Sequence, residues 1–414
     1  MKILRNALWF IVVLLILQVI KVVLSRQTLP WSVLGAIICG CMQFFLVMAF
    51  TGVWFCAWIL RKFFSARRPV AMASFTIGIW VTVMECLLAW WMHHPDRLPV
   101  SFRPSFAYYY DYFQEDLLQF DARYAVYDTG LFYTLKPESR FSFRNIEFDN
   151  EYRTNRVGLR DGDSILSSAQ VICLGDSYTM GWGVEQDSSF PVRLAALSGW
   201  KVANLGMASY GTARELKGLG RVDTSKLRCL IIQYCCNDQG ENLACQKHGY
   251  KLPISSRDTY EDLVRAARSS RIYFPGKYFL IIGNFFGKSL LNKIYPFFSL
   301  PWERKDWGKG QEDQARIFLD LLYHSGINFG KLKVVITMMD DPENMQGTFL
   351  KEAERLSMQM PYRERFGKGL LFMDAGKLLT PDDHYILDAH FKASGHEKIA
   401  RALSKLLTRD LPSR

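Results

Sequence analysis

Histidine is scarce in this chain, at seven residues in 414, and the adjacent pair His93-His94 has no further ligand at usable spacing. That pair reads as interfacial, no metal site is implied, and no organic cofactor is expected. Cysteine is equally short of a pattern. Of nine cysteines, Cys39, Cys41, Cys56 and Cys86 fall in apolar runs, and the remaining five, Cys173, Cys229, Cys235, Cys236 and Cys245, are odd in number. Four of these lie in or beside apolar strands, where a thiol behaves as a small hydrophobe, so no disulfide framework is implied and an oxidising compartment is argued against. Acidic balance is lacking too. The net charge is +11, but no nucleic-acid motif accompanies it. Part of the excess is topogenic, and the remainder suits an anionic membrane surface or an acidic glycan.

Apolar runs, in contrast, are plentiful at one end. Residues 8–24, 33–60 and 70–92 each approach the twenty or so that a helix needs to cross a bilayer. The first run is the weakest, with Gln18 and Lys21, although Lys21 can snorkel. Glu85 in the third reads as a carboxyl packed between helices or near an interface. Lys2 and Arg5 precede the first run, and Arg61, Lys62, Arg67 and Arg68 crowd the loop between the second and third. Positive loops stay inside, so a three-helix transmembrane domain over 1–92 is expected to place everything later outside. The expected location is a bacterial inner membrane with a periplasmic or extracellular C-terminal domain.

The most informative stretch is Val171-Ile172-Cys173-Leu174-Gly175-Asp176-Ser177, an apolar run that stops at Gly-Asp-Ser. It reads as a buried strand presenting a serine at its C-terminal end, where open α/β sheets keep their ligand crevices. Near the C-terminus Asp388-Ala389-His390 precedes a helical pattern. A serine hydroxyl becomes a nucleophile when an imidazole takes its proton, and a carboxylate fixes that imidazole's tautomer. A second pair of the same spacing, Asp382-Asp383-His384, lies close by but follows Pro381 in a polar loop. Asp176 reads as a structural loop carboxylate.

With these residues the chain resembles the SGNH (GDSL-type) serine hydrolases from about Asn155 to the C-terminus, in four blocks that fall in the family's order. The resemblance implies Ser177 as nucleophile, His390 as base and Asp388 as acid. It further implies an oxyanion hole from the Ser177 N–H, the Ser209 N–H and the Asn237 amide. The second block, Asn204-Leu205-Gly206-Met207-Ala208-Ser209, puts Ser209 where the family has glycine, and only its backbone N–H is expected to matter. In the third block, Cys235 stands where glycine is usual, and Lys392 replaces a frequent asparagine. Asn155-Arg156-Val157-Gly158-Leu159-Arg160 resembles a lead-in seen in larger envelope-associated members, with Arg160 as a weaker candidate near the pocket.

The expected fold is α/β, an SGNH-like (flavodoxin-like) parallel sheet with helices on both faces. Strands are expected at 171–175, 201–205, 229–235, 333–338 and 370–374, with helices between them. The expected domains are 1–92, an aromatic-rich lead-in at 93–150 containing Tyr108-Tyr109-Tyr110, and a catalytic domain at 151–414 with a cap inserted at about 240–311. Within that cap, 278–298 is expected to be a helix over the membrane or the site. A fourth span there would put Ser177 and His390 on opposite sides of the bilayer. The resulting expectation is a membrane-anchored serine esterase or O-acyltransferase acting on acyl esters of an envelope or secreted glycan. The alternatives are a lipid ester as substrate and a catalytically silent glycan-binding partner of membrane glycan-assembly proteins.

Overall fold

A computed structural model describes residues 69–113, 117–270, 272–294, 311–330, 332–340, 348–367 and 369–410. The chain divides into two compact units, one containing 69–113 and 272–294, the other containing 117–270 and 311–410. The interval expected as a single cap is thereby shared. Helices Asp238–Lys247 and Arg257–Ser270 belong to the second unit, and helix Lys277–Ile294 belongs to the first.

The apolar runs at 8–24 and 33–60 lie outside the described residues. The third forms helix Pro69–Met92. Among the described residues no helix is long and apolar enough to cross a membrane, so the expected third crossing is not supported. Glu85 explains part of the difference, because this helix carries a buried carboxylate that needs polar partners. It accepts the N–H groups of Gly276 (3.1 Å), Tyr278 (3.3 Å) and Phe279 (3.0 Å) and the Tyr273 hydroxyl (3.1 Å). Those N–H groups include orphans of the first turn of helix Lys277–Ile294, where a carboxylate also complements the helix dipole. Glu85 therefore acts as a helix cap within the first unit.

Among the described residues the second unit holds nine strands. Two antiparallel hairpins come first: β1 (Ala125–Asp128) with β2 (Phe132–Leu135), and β3 (Arg140–Arg144) with β4 (Asp149–Arg153). Then β5 (Val171–Leu174), β6 (Val202–Asn204), β7 (Cys229–Tyr234), β8 (Lys333–Met338) and β9 (Leu370–Asp374) form one parallel sheet in the order β6-β5-β7-β8-β9. This doubly wound order reverses direction beside β5, and its crevice opens at the C-terminal ends of β5 and β7.

Both faces of the sheet are covered, which is why its strands read as continuous apolar runs. Alternate residues serve opposite faces. Ile172, Leu174, Leu230, Ile232, Val334 and Ile336 pack with Phe318, Leu319 and Leu322 of helix Gln311–His324. Val171, Cys173, Cys229, Ile231 and Val335 pack with Phe190 and Leu194 and with Ile399, Leu403 and Leu407 of helix Ala393–Asp410. The four-residue spacing of the last three gives that helix a single apolar stripe, and truncating Leu403 to alanine removes about 2–5 kcal/mol. The helix follows directly after His390 and anchors that segment to the sheet.

Candidate functional site

Local geometry at the end of β5 begins with Gly175. A Cβ there would meet Thr179 Oγ1 and Gln233 Oε1 at 2.1 and 2.3 Å, so the turn closes around a side chain from β7. Gln233 Oε1 accepts the Asp176 N–H (2.9 Å) and the Thr179 hydroxyl (3.0 Å). Asp176 caps the short helix Ser177–Met180 by accepting the Tyr178 N–H. Its second oxygen accepts the Asn237 side-chain amide at 2.9 Å. Burial raises the Asp176 pKa, while the Tyr178 N–H and the Asn237 amide oppose the shift. Asp176 is thus a structural carboxylate that also orients Asn237, whose amide keeps a second N–H beyond this bond.

Ser177 meets His390 from the far end of the unit. The serine hydroxyl lies 2.6 Å from His390 Nε2, and Nδ1 is hydrogen-bonded to Asp388 Oδ1. Asp388 is 3% exposed and His390 19%, so the carboxylate is sealed while the imidazole reaches solvent. Asp388 Oδ1 also accepts the His390 backbone N–H (2.9 Å). Oδ2 accepts the Trp182 indole N–H (3.0 Å) and the Asn145 amide (3.3 Å). Trp182 stacks on the imidazole at 5.1 Å between centroids, and Tyr178 flanks it at 4.7 Å. Glu147 accepts the N–H groups of Ile386, Leu387 and Asp388. Burial raises the Glu147 pKa against those three bonds.

His384 takes a different place. Its Nδ1 bonds the Ala389 carbonyl (2.9 Å), it packs on Phe391, and burial lowers its pKa. Lys392 turns its ammonium to the Asp382 carbonyl.

The second block approaches the serine helix closely. A Cβ on Gly206 would sit 2.2 Å from the Met180 nitrogen, so only glycine fits there. Ser209 adopts φ +59°, the left-handed region in which glycine is favoured. The resemblance allows a serine here if its φ/ψ is not one reserved for glycine, and the structure puts Ser209 in the left-handed region that glycine favours. Among the described residues neither the Ser177 nor the Ser209 backbone N–H donates to an acceptor.

Arg160 is fully buried. Its guanidinium donates to the carbonyls of Gly181 and Val184 (both 2.6 Å) and Glu151 (3.2 Å), and it stacks on Tyr152. It holds the loop that presents Trp182. Cys235 is buried beside Cys236 and Asp340. Those three side chains are the one group among the described residues able to share a metal ion, with ligand atoms within 4.8 Å of one another. One Asp340 oxygen already accepts the Cys236 N–H, and burial pushes the Cys235 thiol up, which disfavours the thiolate that a metal requires.

Sequence reasoning missed Trp182, Asn145, Glu147 and Gln233. Trp182 alone carried a signal, an aromatic between Gly181 and Gly183 just after the serine.

Residues 173–329 match the GDSL-like Lipase/Acylhydrolase family, and this stretch includes Ser177, Ser209 and Asn237 but ends before Asp388 and His390. No curated protein matches the chain. Among solved structures, the chain is similar to a lipolytic protein of the G-D-S-L family from Desulfitobacterium hafniense DCB-2 (15% identity, 58% of this chain, 99% of that one, TM-score 0.28). It is also similar to an acetyl xylan esterase, Est2A, from the rumen bacterium Butyrivibrio proteoclasticus (12% identity, 59% of this chain, TM-score 0.30), of which it spans 65%. At these TM-scores the likeness carries no argument about substrate.

Proposed function

We propose that this chain is a serine esterase or O-acyltransferase acting on acyl esters of an envelope or secreted glycan. The observation that carries the reading is the continuous hydrogen-bond line from Ser177 through His390 to Asp388, beside the Asn237 amide. The family match over 173–329 supports hydrolysis of a carboxylic ester.

In this reading the Ser177 oxygen attacks the ester carbonyl as its proton passes to His390 Nε2. Asp388 holds the Nδ1–H and stabilises the imidazolium. Negative charge on the former carbonyl oxygen is met by the N–H groups of Ser177 and Ser209 and the Asn237 amide. Collapse expels the alcohol, which takes the proton from Nε2 and leaves Ser177 acylated. Water or a sugar hydroxyl then gives a proton to His390 and attacks the acyl carbonyl, and Ser177 recovers its proton as it leaves.

The part of the positive charge that is not topogenic supports an acidic glycan as the acyl carrier, and the apolar runs at 8–24 and 33–60 support membrane attachment. An odd number of crossings puts the second unit outside and an even number puts it inside. Reporters fused after Arg414 and inserted near Ser65 decide this, and the envelope-glycan reading requires opposite sides.

A fluorophosphonate probe on the full-length, detergent-solubilised protein tests the chemistry. Labelling that disappears in Ser177→Ala is expected. A folded wild type that does not label would overturn catalysis and leave a glycan-binding role.

A further inference from the structure

We infer that the segment ahead of the family match, and Gln119 in particular, holds Ser209 in the conformation that aims its backbone N–H at the oxyanion. This rests on the hydrolase reading for its catalytic consequence, but its conformational half stands independently.

Three successive residues of the second block are tethered to 118–135. The Tyr133 hydroxyl donates to the Ala208 carbonyl at 2.7 Å. The Gln119 amide donates to the Ser209 hydroxyl at 3.0 Å, across 90 residues of sequence. The Tyr210 hydroxyl donates to the Tyr133 carbonyl. Gln119 and Tyr133 are 4% and 2% exposed, so neither arm is a surface side chain that happens to touch the loop. The Gln119 carbonyl oxygen is buried without a partner, which means the residue is retained here against a desolvation penalty.

Ser209 itself explains why such tethers are needed. A non-glycine residue with positive φ is disfavoured and persists where its surroundings over-determine it. Glycine adopts that region at no steric cost. The cost of left-handed serine and the return from one buried hydrogen bond are of similar size, so losing the bond changes the population of the aimed conformer by about tenfold. Gln119 is thus a positioning residue, which acts through Ser209 without touching the reacting atoms. It stands where a glycine at 209 would need nothing.

The test is a substitution set in the full chain, with glycine as the suppressor. Gln119→Leu is expected to lower kcat on a small acyl ester about tenfold with KM nearly unchanged, since an oxyanion donor acts mainly in the transition state. Ser209→Ala is expected to do the same, and the two together to do no more than either alone. Ser209→Gly is expected to abolish the dependence on Gln119, restoring kcat in the Gln119→Leu background to that of Ser209→Gly alone. Near-wild-type turnover in Gln119→Leu, or failure of Ser209→Gly to restore it, would overturn the proposal. Urea unfolding of wild type, Gln119→Leu, Ser209→Gly and their double variant reads the conformational half without any substrate. Gln119→Leu should cost less stability when residue 209 is glycine, and equal costs would overturn the inference. If fluorophosphonate labels none of the variants while that coupling is present, the hydrolase reading fails and the conformational assignment stands.

Discussion

Asp382-Asp383-His384 and Asp388-Ala389-His390 each place a carboxylate two residues before an imidazole, the first with a further carboxylate, Asp383, between them, and they are neighbours in one polar turn region. They are even bonded to each other, through His384 Nδ1 to the Ala389 carbonyl and the Tyr385 N–H to the His390 carbonyl. Their surroundings differ in kind. Asp383 is answered by a cation, Lys398 Nζ at 2.5 Å, and by Ser394 and Thr380. Burial works against its charge, but these partners outweigh it and hold its pKa below the ordinary carboxylate range. Asp388 is answered by an imidazole, an indole N–H and an amide. A carboxylate already satisfied by an ammonium does structural work, whereas one directed at an imidazole fixes that ring's tautomer and orientation.

The comparison is broken most severely at the imidazoles. His390→Ala is expected to lower kcat by about 10⁵–10⁶-fold, the scale of losing the general base of a serine hydrolase. His384→Gln, where the ring meets the Ala389 carbonyl and Phe391, is expected to keep kcat within about threefold in folded protein. Steady-state kinetics on a soluble acyl ester checks both, and a loss in His384→Gln comparable with that in His390→Ala would erase the distinction.

The carboxylates should separate in the same way, but in different observables. Asp388→Asn keeps the shape and spoils the tautomer, so kcat should fall about 10⁴-fold with little change in melting temperature. Asp383→Ala removes the partner of Lys398, itself 42% exposed, and unmakes the cap at Thr380, with an expected loss of about 1–2 kcal/mol and normal kcat per folded molecule. Calorimetry beside kinetics distinguishes them. A stability loss in Asp388→Asn equal to that in Asp383→Ala would assign both carboxylates to structure.

How much of this was legible in the sequence follows from the range of each interaction. The five core strands were readable because burial on both faces writes local apolar runs bounded by turn residues. Ser177, Asp388 and His390 were readable because each lies in a short block with its own turn chemistry. Asn145, Glu147 and Trp182 reach Asp388 or its neighbours from 206 to 243 residues away, and no periodicity records such a contact. Ser209 shows the same limit: its residue type suggested a departure from glycine, while its backbone shows none. The run at 70–92 forms a helix whose crossing is not supported, and its Glu85 partners show the same limit. Mean apolarity does not reveal that Glu85 has a ring of backbone donors waiting for it.

The smallest expected effect extends the comparison to a third imidazole, His396, in the helix behind both pairs. It is fully buried, accepts the Phe190 N–H at Nδ1 (3.3 Å), and burial lowers its pKa to about 3. His384 is shifted in the same direction by the same cause. In the unfolded chain such a ring titrates near pH 6.5. Below that pH the unfolded state takes up a proton that folded His396 refuses until about pH 3, so its stabilising contribution is complete above about 6.5 and declines as the pH falls. The slope from this ring approaches about 1.4 kcal/mol per pH unit in the middle of that window. Asp161, raised to about 6 by burial, works with the opposite sign, so the informative quantity is a difference between two proteins. Urea midpoints of wild type and His396→Gln from pH 7 to pH 4 should converge as the pH falls, because the variant has lost the proton linkage. Parallel curves would mean that folded His396 takes up its proton at the same pH as the unfolded ring, and the buried, neutral imidazole would have to be abandoned.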